Sequence, residues 1–239
     1  MALAPKFKTH RLIFTEPSAT SPSSEPLHTL EFYLDYVCPF SAKLFKTLTT
    51  HVIPYIQSRP DLSSRLQLIF RHQIQPWHPS STLVHEAALA AARLLSASSS
   101  SPSSAFWTAL SATLFARQAA FFDEAAAHES RNQTYRRLAA LISENVRDGE
   151  VRADELYGLL AIREEKEKGE GEGEGGRGVG TAGNEGNAVT ADVKAVVKLA
   201  RQVGVHVSPT VLFDGVVAGE ISSGWTGQQW EEWLGKNVV

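Results

Sequence analysis

Cys38 is the only cysteine of the chain, and its position predicts nucleophilic thiol chemistry. An apolar run over residues 30–37 leads into it, and a helical pattern of apolar residues begins at Pro39. At a helix start, unpaired N–H groups and the positive end of the helix dipole favour thiolate, the reactive form, over thiol. We therefore expect a reactive Cys38. An inert core thiol, a common state of free cysteines, is the alternative.

Ser41 stands where a Cys-x-x-Cys pair would have its second cysteine. The second thiol of a dithiol site resolves the mixed disulfide, so Cys38 needs an external thiol for its release, and we expect glutathione. Ser41 follows Cys38 by about one helical turn, and its hydroxyl is expected to donate a hydrogen bond to the thiolate. Pro39 suits the first helical position, and both Pro39 and Phe40 are expected to contact the substrate.

Pro209 lies inside a second apolar stretch, residues 205–213, far from Cys38 in sequence. Proline cannot donate to a central sheet ladder, so a proline in such a strand needs a special reason. A cis peptide bond beside a functional site is one such reason. We expect a cis bond between Ser208 and Pro209, with an ordinary edge-strand proline as the alternative.

Trp77 and His78 belong to the segment 73–79, which follows the second predicted strand. This segment should lie at the same end of the sheet as Cys38. His78 is expected to pair with the thiolate or to bind a carboxylate of glutathione, and Trp77 is expected to wall the pocket. For His78, a simply exposed loop histidine is the alternative.

Two further sets of polar residues have weaker assignments. Asp35 precedes Cys38 by three residues, where a buried acid would either act in proton transfer or only cap the turn. His72, His78 and His85 are close in sequence, but their spacing matches no compact metal motif. We expect structural or surface roles for these histidines and no metal site.

The pattern of apolar residues predicts an alternation of strands and helices. Strands are predicted over residues 30–37 and 65–71, and a helix from Pro39 should be kinked or ended by Pro54. A block of four helices follows, over residues 82–95, 105–127, 133–146 and 154–163, with a break at 96–104.

Local signals define the C-terminal quarter of the chain. Thr190 is the predicted N-cap of a further helix, and Gly204 is its predicted stop. Asp214-Gly215 between apolar runs predicts a β-hairpin. Thr226 and Gln229 have the spacing of a capping box that opens the last helix.

Charge and composition exclude several classes of protein. The net charge of -3 and the lack of a basic block argue against nucleic-acid binding. The N-terminus lacks the apolar run of a signal peptide, and no segment approaches the roughly 20 apolar residues of a membrane helix. We expect a cytoplasmic protein with neither nucleic acid nor membrane as partner. A flexible N-terminal arm, residues 1–27, and a disordered Glu/Gly-rich loop, residues 164–188, are also predicted.

Two motifs carry a resemblance to a known family: Asp35-x-x-Cys38-Pro39-Phe40-Ser41 after the first predicted strand, and residues 207–210, Val-Ser-Pro-Thr, before the hairpin. They resemble the DsbA-like branch of the thioredoxin superfamily, which includes bacterial disulfide oxidases, 2-hydroxychromene-2-carboxylate isomerases and kappa-class glutathione transferases. That family has an active-site Cys-x-x-Cys, or Ser-x-x-Ser, faced by a cis-proline. This chain departs from the oxidases by lacking the second cysteine and from the transferases by keeping the first.

The resemblance covers most of residues 28–235 and implies an α/β, thioredoxin-like fold. Residues 28–80 and 189–239 would form the two parts of that domain, and residues 81–163 a helical insertion between the second strand and the C-terminal hairpin. In the fold, the backbone of Ser208 would pair with an extended thiol substrate. The next two residues, Pro209 and Thr210, would also belong to the substrate-binding site.

The implied activity is monothiol, glutathione-linked thiol-disulfide exchange with Cys38 as nucleophile. Glutathione would serve as cosubstrate, no cofactor would be tightly bound, and the partner would be glutathione or a thiol-containing client protein. A kappa-like glutathione transferase or isomerase, in which Ser41 or Cys38 activates glutathione, remains open. So does a non-catalytic thioredoxin-like binding module.

Overall fold

The computed structural model describes residues 3–14, 26–146, 150–162 and 184–239, which contain a five-stranded mixed sheet. The spatial order is β1-β3-β2-β4-β5; β2 and β3 are parallel and the other neighbouring pairs are antiparallel. The strands are β1 (Arg11–Ile13), β2 (His28–Leu34), β3 (Leu66–His72), β4 (Thr210–Phe213) and β5 (Val216–Val217).

Helices connect the strands and cover the sheet. The crossover between β2 and β3 contains α1 (Pro39–Thr47), a π-helical turn (Leu48–Val52), α2 (Ile53–Ser58) and α3 (Pro60–Ser63). The insertion after β3 contains α4 (Pro79–Ser98), α5 (Pro102–Ala105), α6 (Ala112–Ala116), α7 (Asp123–Ala126), α8 (Arg131–Asn145) and α9 (Ala153–Leu160). Helix α10 (Thr190–Gln202) precedes the hairpin, and α11 (Gly227–Asn237) follows it.

The register of the central strands places three loops at one edge of the sheet. Strand β2 runs parallel to β3 with Leu34 opposite His72, so both strands end at the same edge. Strand β4 is antiparallel to β2 with Thr210 opposite Tyr33, so β4 starts there. The turn after β2, the loop after β3 and the loop before β4 therefore meet, and the first of them contains Cys38. This arrangement is the thioredoxin-like fold with a helical insertion that the sequence predicts.

The prediction of a flexible arm over residues 1–27 is wrong for its first half. A 3₁₀-helix over Pro5–His10 leads into β1, which pairs with β3 at the edge of the sheet, Arg11 opposite Ile69. A three-residue strand has little signal of its own and depends on this distant partner. Residues 15–25 and most of the Glu/Gly-rich loop, residues 164–183, lie outside the described residues.

The single helix predicted over residues 105–127 is also wrong, because this segment is divided. It consists of α5, a π-helical turn (Phe106–Ser111), α6, a 3₁₀ turn (Gln118–Phe121) and α7. The adjacent residues Phe106 and Trp107 are both fully buried. A π-turn shifts the helical register, which lets the segment bury more than one regular face.

Most of the local signals are confirmed. Asp214 and Gly215 have φ of 49° and 85° and turn the chain between β4 and β5, and Gly204, with φ of 74°, follows α10. Thr226 and Gln229 form the predicted capping box. Thr190 is instead the first residue of its helix, a shift of one position. Among the described helices, none has the length and apolar character needed to span a membrane.

Candidate functional site

Cys38 lies in the turn between β2 and α1, immediately before the first helical residue, Pro39. Its N–H donates to the carbonyl oxygen of Asp35 at 3.1 Å, and its own carbonyl accepts from Ala42 N at 3.1 Å. The side chain is only 7% exposed. Its Sγ is 3.5 Å from the carbonyl oxygen of Ser208, a contact in which the thiol is the donor.

The loop before β4 provides the opposite wall of the site. The Ser208–Pro209 peptide bond is cis, as predicted. The Thr210 hydroxyl donates to the carbonyl oxygen of Val207 at 2.8 Å, which ties the two ends of this short loop together. Cys38 and Ser208, 170 residues apart in sequence, are therefore in contact.

Ser41 is fully buried beneath the Cys38 turn. Its Oγ accepts a hydrogen bond from the backbone N–H of Asp35 at 3.2 Å. A hydroxyl that accepts still has a proton to donate. In this structure Ser41 stabilises the turn, and its bond to a Cys38 thiolate stays a prediction.

The carboxyl group of Asp35 is fully buried and has four hydrogen-bond partners. Its Oδ1 accepts from Val37 N at 3.1 Å and from Ser81 Oγ at 2.9 Å and is 3.3 Å from His85 Nε2, and its Oδ2 accepts from Gln75 N at 3.3 Å. The bond from Val37 confirms that Asp35 caps the turn. The bonds from Gln75, Ser81 and His85 join the turn to the loop after β3 and to α4.

A chain of three buried histidines extends from Asp35. His85 Nδ1 is 2.7 Å from His72 Nδ1, His72 Nε2 is 2.8 Å from His10 Nε2, and His10 Nδ1 is 3.1 Å from the carbonyl oxygen of Phe7. Burial lowers the pKa of His10 to about 3 and that of His72 well below its ordinary value. Sequence analysis assigned structural or surface roles to His72 and His85, and it had no signal for His10.

Exposed apolar side chains flank the three loops of the site. Phe40, Trp77 and Val207 are 63%, 59% and 57% exposed. Trp77 and His206 line a cleft of about 310 Å³ between the loop after β3 and α10. Trp77 thus walls a pocket, although this cleft is lined by the loop that leads to Ser208 rather than by Cys38 itself.

His78 lies outside the contacts described for Cys38. It is the residue before α4, and its Nδ1 is 3.9 Å from Asp123 Oδ2, with about a third of the side chain exposed. Its role toward a thiolate or glutathione stays a prediction.

Gln118 is a residue of the site that sequence analysis missed. It lies in the 3₁₀ turn of the helical insertion, and its Nε2 donates to the carbonyl oxygens of Tyr36 at 2.9 Å and Cys38 at 3.4 Å. The insertion thereby holds the backbone of the Cys38 turn. Nothing in the sequence around Gln118 distinguishes it from a surface glutamine.

Similar proteins are found by structure and not by sequence. No protein-family model matches the chain, and no curated protein matches it. A candidate protein-disulfide isomerase from Pseudomonas syringae superposes with a TM-score of 0.61 at 20% identity, over 96% of this chain and 99% of that one. DsbA from Mycobacterium tuberculosis, in its reduced form, gives 0.53 at 18% identity, over 96% and 93%. BdbD from Bacillus subtilis gives 0.53 at 16% identity, over 90% and 90%.

These identities are low, so the superpositions bear on the fold. Each covers nine-tenths or more of both chains, which includes the helical insertion as well as the sheet. The mixed sheet and the helical insertion agree with them. The chain has the thioredoxin-like fold of the DsbA type, with a single cysteine at the start of its first helix.

Proposed function

We propose that this protein is a monothiol thiol-disulfide oxidoreductase that uses Cys38 as its nucleophile and glutathione as its cosubstrate. The observation that carries the proposal is the contact of Cys38 Sγ with the carbonyl oxygen of Ser208, at the start of α1. This contact supports the proposal because a substrate sulfur bound to Cys38 would lie beside the backbone next to Pro209.

The proposed reaction has two exchange steps. In the first, the Cys38 thiolate attacks the glutathione sulfur of a client's mixed disulfide, the client–glutathione S–S bond breaks, and the client thiolate leaves and takes a proton. In the second, the thiolate of a reduced glutathione attacks the adduct and releases Cys38 and glutathione disulfide. In the sum of the two steps the client sulfur is reduced, one reduced glutathione is oxidised in its place, and glutathione disulfide leaves with the glutathione that the client had carried. Cys38 returns to its starting state.

The surroundings of Cys38 suit both substrates. Phe40 and Val207 give a client protein an apolar surface. The cleft beside Trp77 has Arg201 and His206 in its lining, both largely exposed, and an arginine binds a carboxylate of glutathione well. Because glutathione keeps thiols reduced in the cytoplasm, we place the reaction in that compartment.

Incubation with glutathione disulfide tests the proposal. Intact-mass spectrometry is expected to show one adduct on the wild-type chain, none on Cys38→Ser, and its removal by reduced glutathione. S-methylglutathione, which cannot exchange, should bind in calorimetry and bind more weakly to Arg201→Ala. A client adduct on Cys38 without any glutathione adduct or binding would contradict the glutathione link and leave client capture. Conjugation of a model electrophile by Cys38→Ser would indicate a transferase instead.

A further inference from the structure

The three histidines and Asp35 form one continuous, buried chain of hydrogen bonds. Asp35 and His85 are fully buried, and His72 and His10 are each 2% exposed. This hydrogen-bonded series begins at Asp35, in the turn that contains Cys38. It continues through His85 of α4 and His72 at the end of β3 and ends at His10, the last residue of the N-terminal 3₁₀-helix. Its four contacts involve only titratable side chains and, at the far end, the carbonyl oxygen of Phe7.

The contacts of this hydrogen-bonded series allow a first state with four protons. Each of the two N···N contacts, at 2.7 and 2.8 Å, requires one proton between its nitrogens. In this state His10 Nδ1 donates to the Phe7 carbonyl, which can only accept. With neutral rings, His72 then donates from Nε2 and His85 from Nδ1. The fourth proton is on Asp35, which donates it to His85 Nε2, and the series is electrically neutral.

Thr9 provides a second state with one proton fewer. Its Oγ1 is 3.2 Å from His10 Nδ1 and can donate to that nitrogen. All three rings then reverse, each donating toward Asp35, and the carboxylate keeps its negative charge. The two states differ by a single proton, and neither of them needs a charged His10 or His72.

We propose that Asp35, His85, His72 and His10 are a proton relay that holds one exchangeable proton beneath the active-site turn and thereby stabilises the Cys38 thiolate. The purpose of the relay, which is to stabilise the Cys38 thiolate, rests on the proposed function. Its members are positioning residues, because they act on Cys38 through the turn and do not touch substrate.

The geometry of the turn couples the relay to Cys38. The backbone N–H of Cys38 donates to the Asp35 carbonyl at 3.1 Å, and the Asp35 carboxylate caps the turn through Val37 N. When Cys38 loses its proton to solvent or to a leaving group, a negative charge appears in this turn. Uptake of one proton by the relay removes the negative charge of Asp35, so the turn never contains two anions.

The far end of the relay offers a route to solvent. His10 lines a cleft of about 230 Å³, and Lys6, Arg93 and Asp192 also line it. Proton exchange at this end leaves the mouth of the Cys38 site free to be covered by a client.

Charged groups around the relay are paired with each other. Arg71 of β3 donates to Glu31 of β2 at 2.6 Å, and Asp192 of α10 accepts from Lys6 at 2.7 Å and from Arg93 of α4 at 2.6 Å. Glu31 and Asp192 are thus compensated by cations, whereas the hydrogen-bond partners of Asp35 include no arginine or lysine. The low pKa values of His10 and His72, caused by burial, agree with transfer by ring reversal rather than by storage on either ring.

Nitrogen-15 NMR of histidine-labelled protein tests the two states directly. In the neutral state we expect His10 protonated at Nδ1, His72 at Nε2 and His85 at Nδ1. All three should change to the opposite nitrogen together as the pH rises. Tautomers that stay fixed between pH 5 and 9, or that change independently, would overturn the relay.

Thr9→Val tests the coupling to Cys38 with a small structural change. Without the Thr9 hydroxyl, the state with fewer protons is destabilised, and the midpoint of the pH profile for iodoacetamide alkylation of Cys38 should move down by about half a pH unit. Thr108→Val is the control. It removes an exposed hydroxyl that is not part of the relay, and it should not shift the midpoint of the alkylation profile.

A double variant makes the test specific. In a His72→Phe background the relay is cut between Thr9 and Cys38, so Thr9→Val should no longer shift the alkylation profile. If the single Thr9→Val variant causes no shift while the glutathione adduct still forms, the relay is wrong and the proposed function stands. If the shift is present and no glutathione adduct forms, the proposed function is wrong and the relay stands.

Discussion

Helix α4 is next to two buried acids, and their surroundings differ. Asp35 lies in the turn after β2 and contacts one side of the helix, whereas Glu86 belongs to the helix and faces another side. On the side that faces the sheet, His85 contacts Asp35, whose four hydrogen-bond partners include no arginine or lysine. Glu86, the residue after His85, is buried on the side of the helix that faces α8. Its carboxylate accepts two hydrogen bonds from Arg131 of α8, at 3.0 and 3.1 Å.

The Glu86 cluster has a fixed charge. Arginine stays protonated at every pH at which a protein folds, and Tyr135 also donates to Glu86. Burial, and then the nearby Glu86, raise the pKa of Tyr135 well above its ordinary value, so the tyrosine stays neutral. This cluster fastens α4 to α8 and has no means of exchanging a proton near neutral pH. The Asp35 cluster, by contrast, has no cation among its hydrogen-bond partners, and in the proposed relay its charge changes with a proton that moves along the histidines.

The largest expected effect is a loss of stability at acidic pH, caused by the buried histidines near Asp35. An unfolded histidine has a pKa near 6.5, whereas His10 in the fold has one of about 3 and His72 one well below 6.5. The unfolded chain therefore binds more protons below pH 6.5, and stability falls as the pH is lowered. Between pH 7 and pH 5 the free energy of unfolding should drop by about 2 kcal/mol through His10, and His72 should add to the drop in the same direction.

Urea denaturation at pH 7 and pH 5 measures this drop, and His10→Phe is the matched variant. Phenylalanine fits the aromatic surroundings of His10, whose ring lies 4.3 Å from that of Phe106. The drop should be about 2 kcal/mol smaller in this variant. An equal drop in the two proteins would mean that His10 does not titrate with folding.

Arg131→Met removes the ion pair of the Glu86 cluster. It leaves the buried Glu86 without its cation, and removal of one partner from a buried pair typically costs about 3–5 kcal/mol. Arg131 is 43% exposed, so water replaces part of the lost interaction, and we expect about 2 kcal/mol. Urea denaturation at pH 7 gives the value, and Arg152→Met, in an exposed pair with Asp154, is the control and should leave the free energy of unfolding unchanged within error.

Gln118→Ala loosens the turn that both proposals depend on. The variant removes two hydrogen bonds to the carbonyl oxygens of Tyr36 and Cys38, with an expected loss of about 1 kcal/mol in unfolding free energy. Alkylation of the buried Cys38 should become faster, because the turn opens more easily. A loss of stability without faster alkylation would show that Gln118 supports the insertion and not the turn.

His78→Gln should have the smallest effect and serves as the control histidine on α4. His78 precedes the helix and is about a third exposed, and the charged group nearest its ring is Asp123, at 3.9 Å. The free energy of unfolding at pH 7 should stay within about 0.5 kcal/mol of wild type in urea denaturation. A larger loss would mean that the contact with Asp123 holds the start of α4 in place.

Local chemistry made much of the fold predictable. The Asp214-Gly215 hairpin, the capping box of Thr226 and Gln229, and the cis bond before Pro209 each follow from a few adjacent residues. The placement of Cys38 at a helix start follows from an apolar strand pattern that leads directly into Pro39. The divided segment over residues 105–127 was missed because its π and 3₁₀ turns depend on aromatic packing against other elements.

The sequence by itself determined the Cys38 motif, the order of elements from β2 to α1 and from α10 to α11, and the loops that carry the site. Only the tertiary structure decided what lies beneath that site. His10, His72 and Asp35 come from three separate segments, and they meet because β1 pairs with β3 and β3 with β2. A hydrogen bond between residues 62 positions apart leaves no periodicity in the sequence, since it depends on strand register and burial rather than on neighbouring residues.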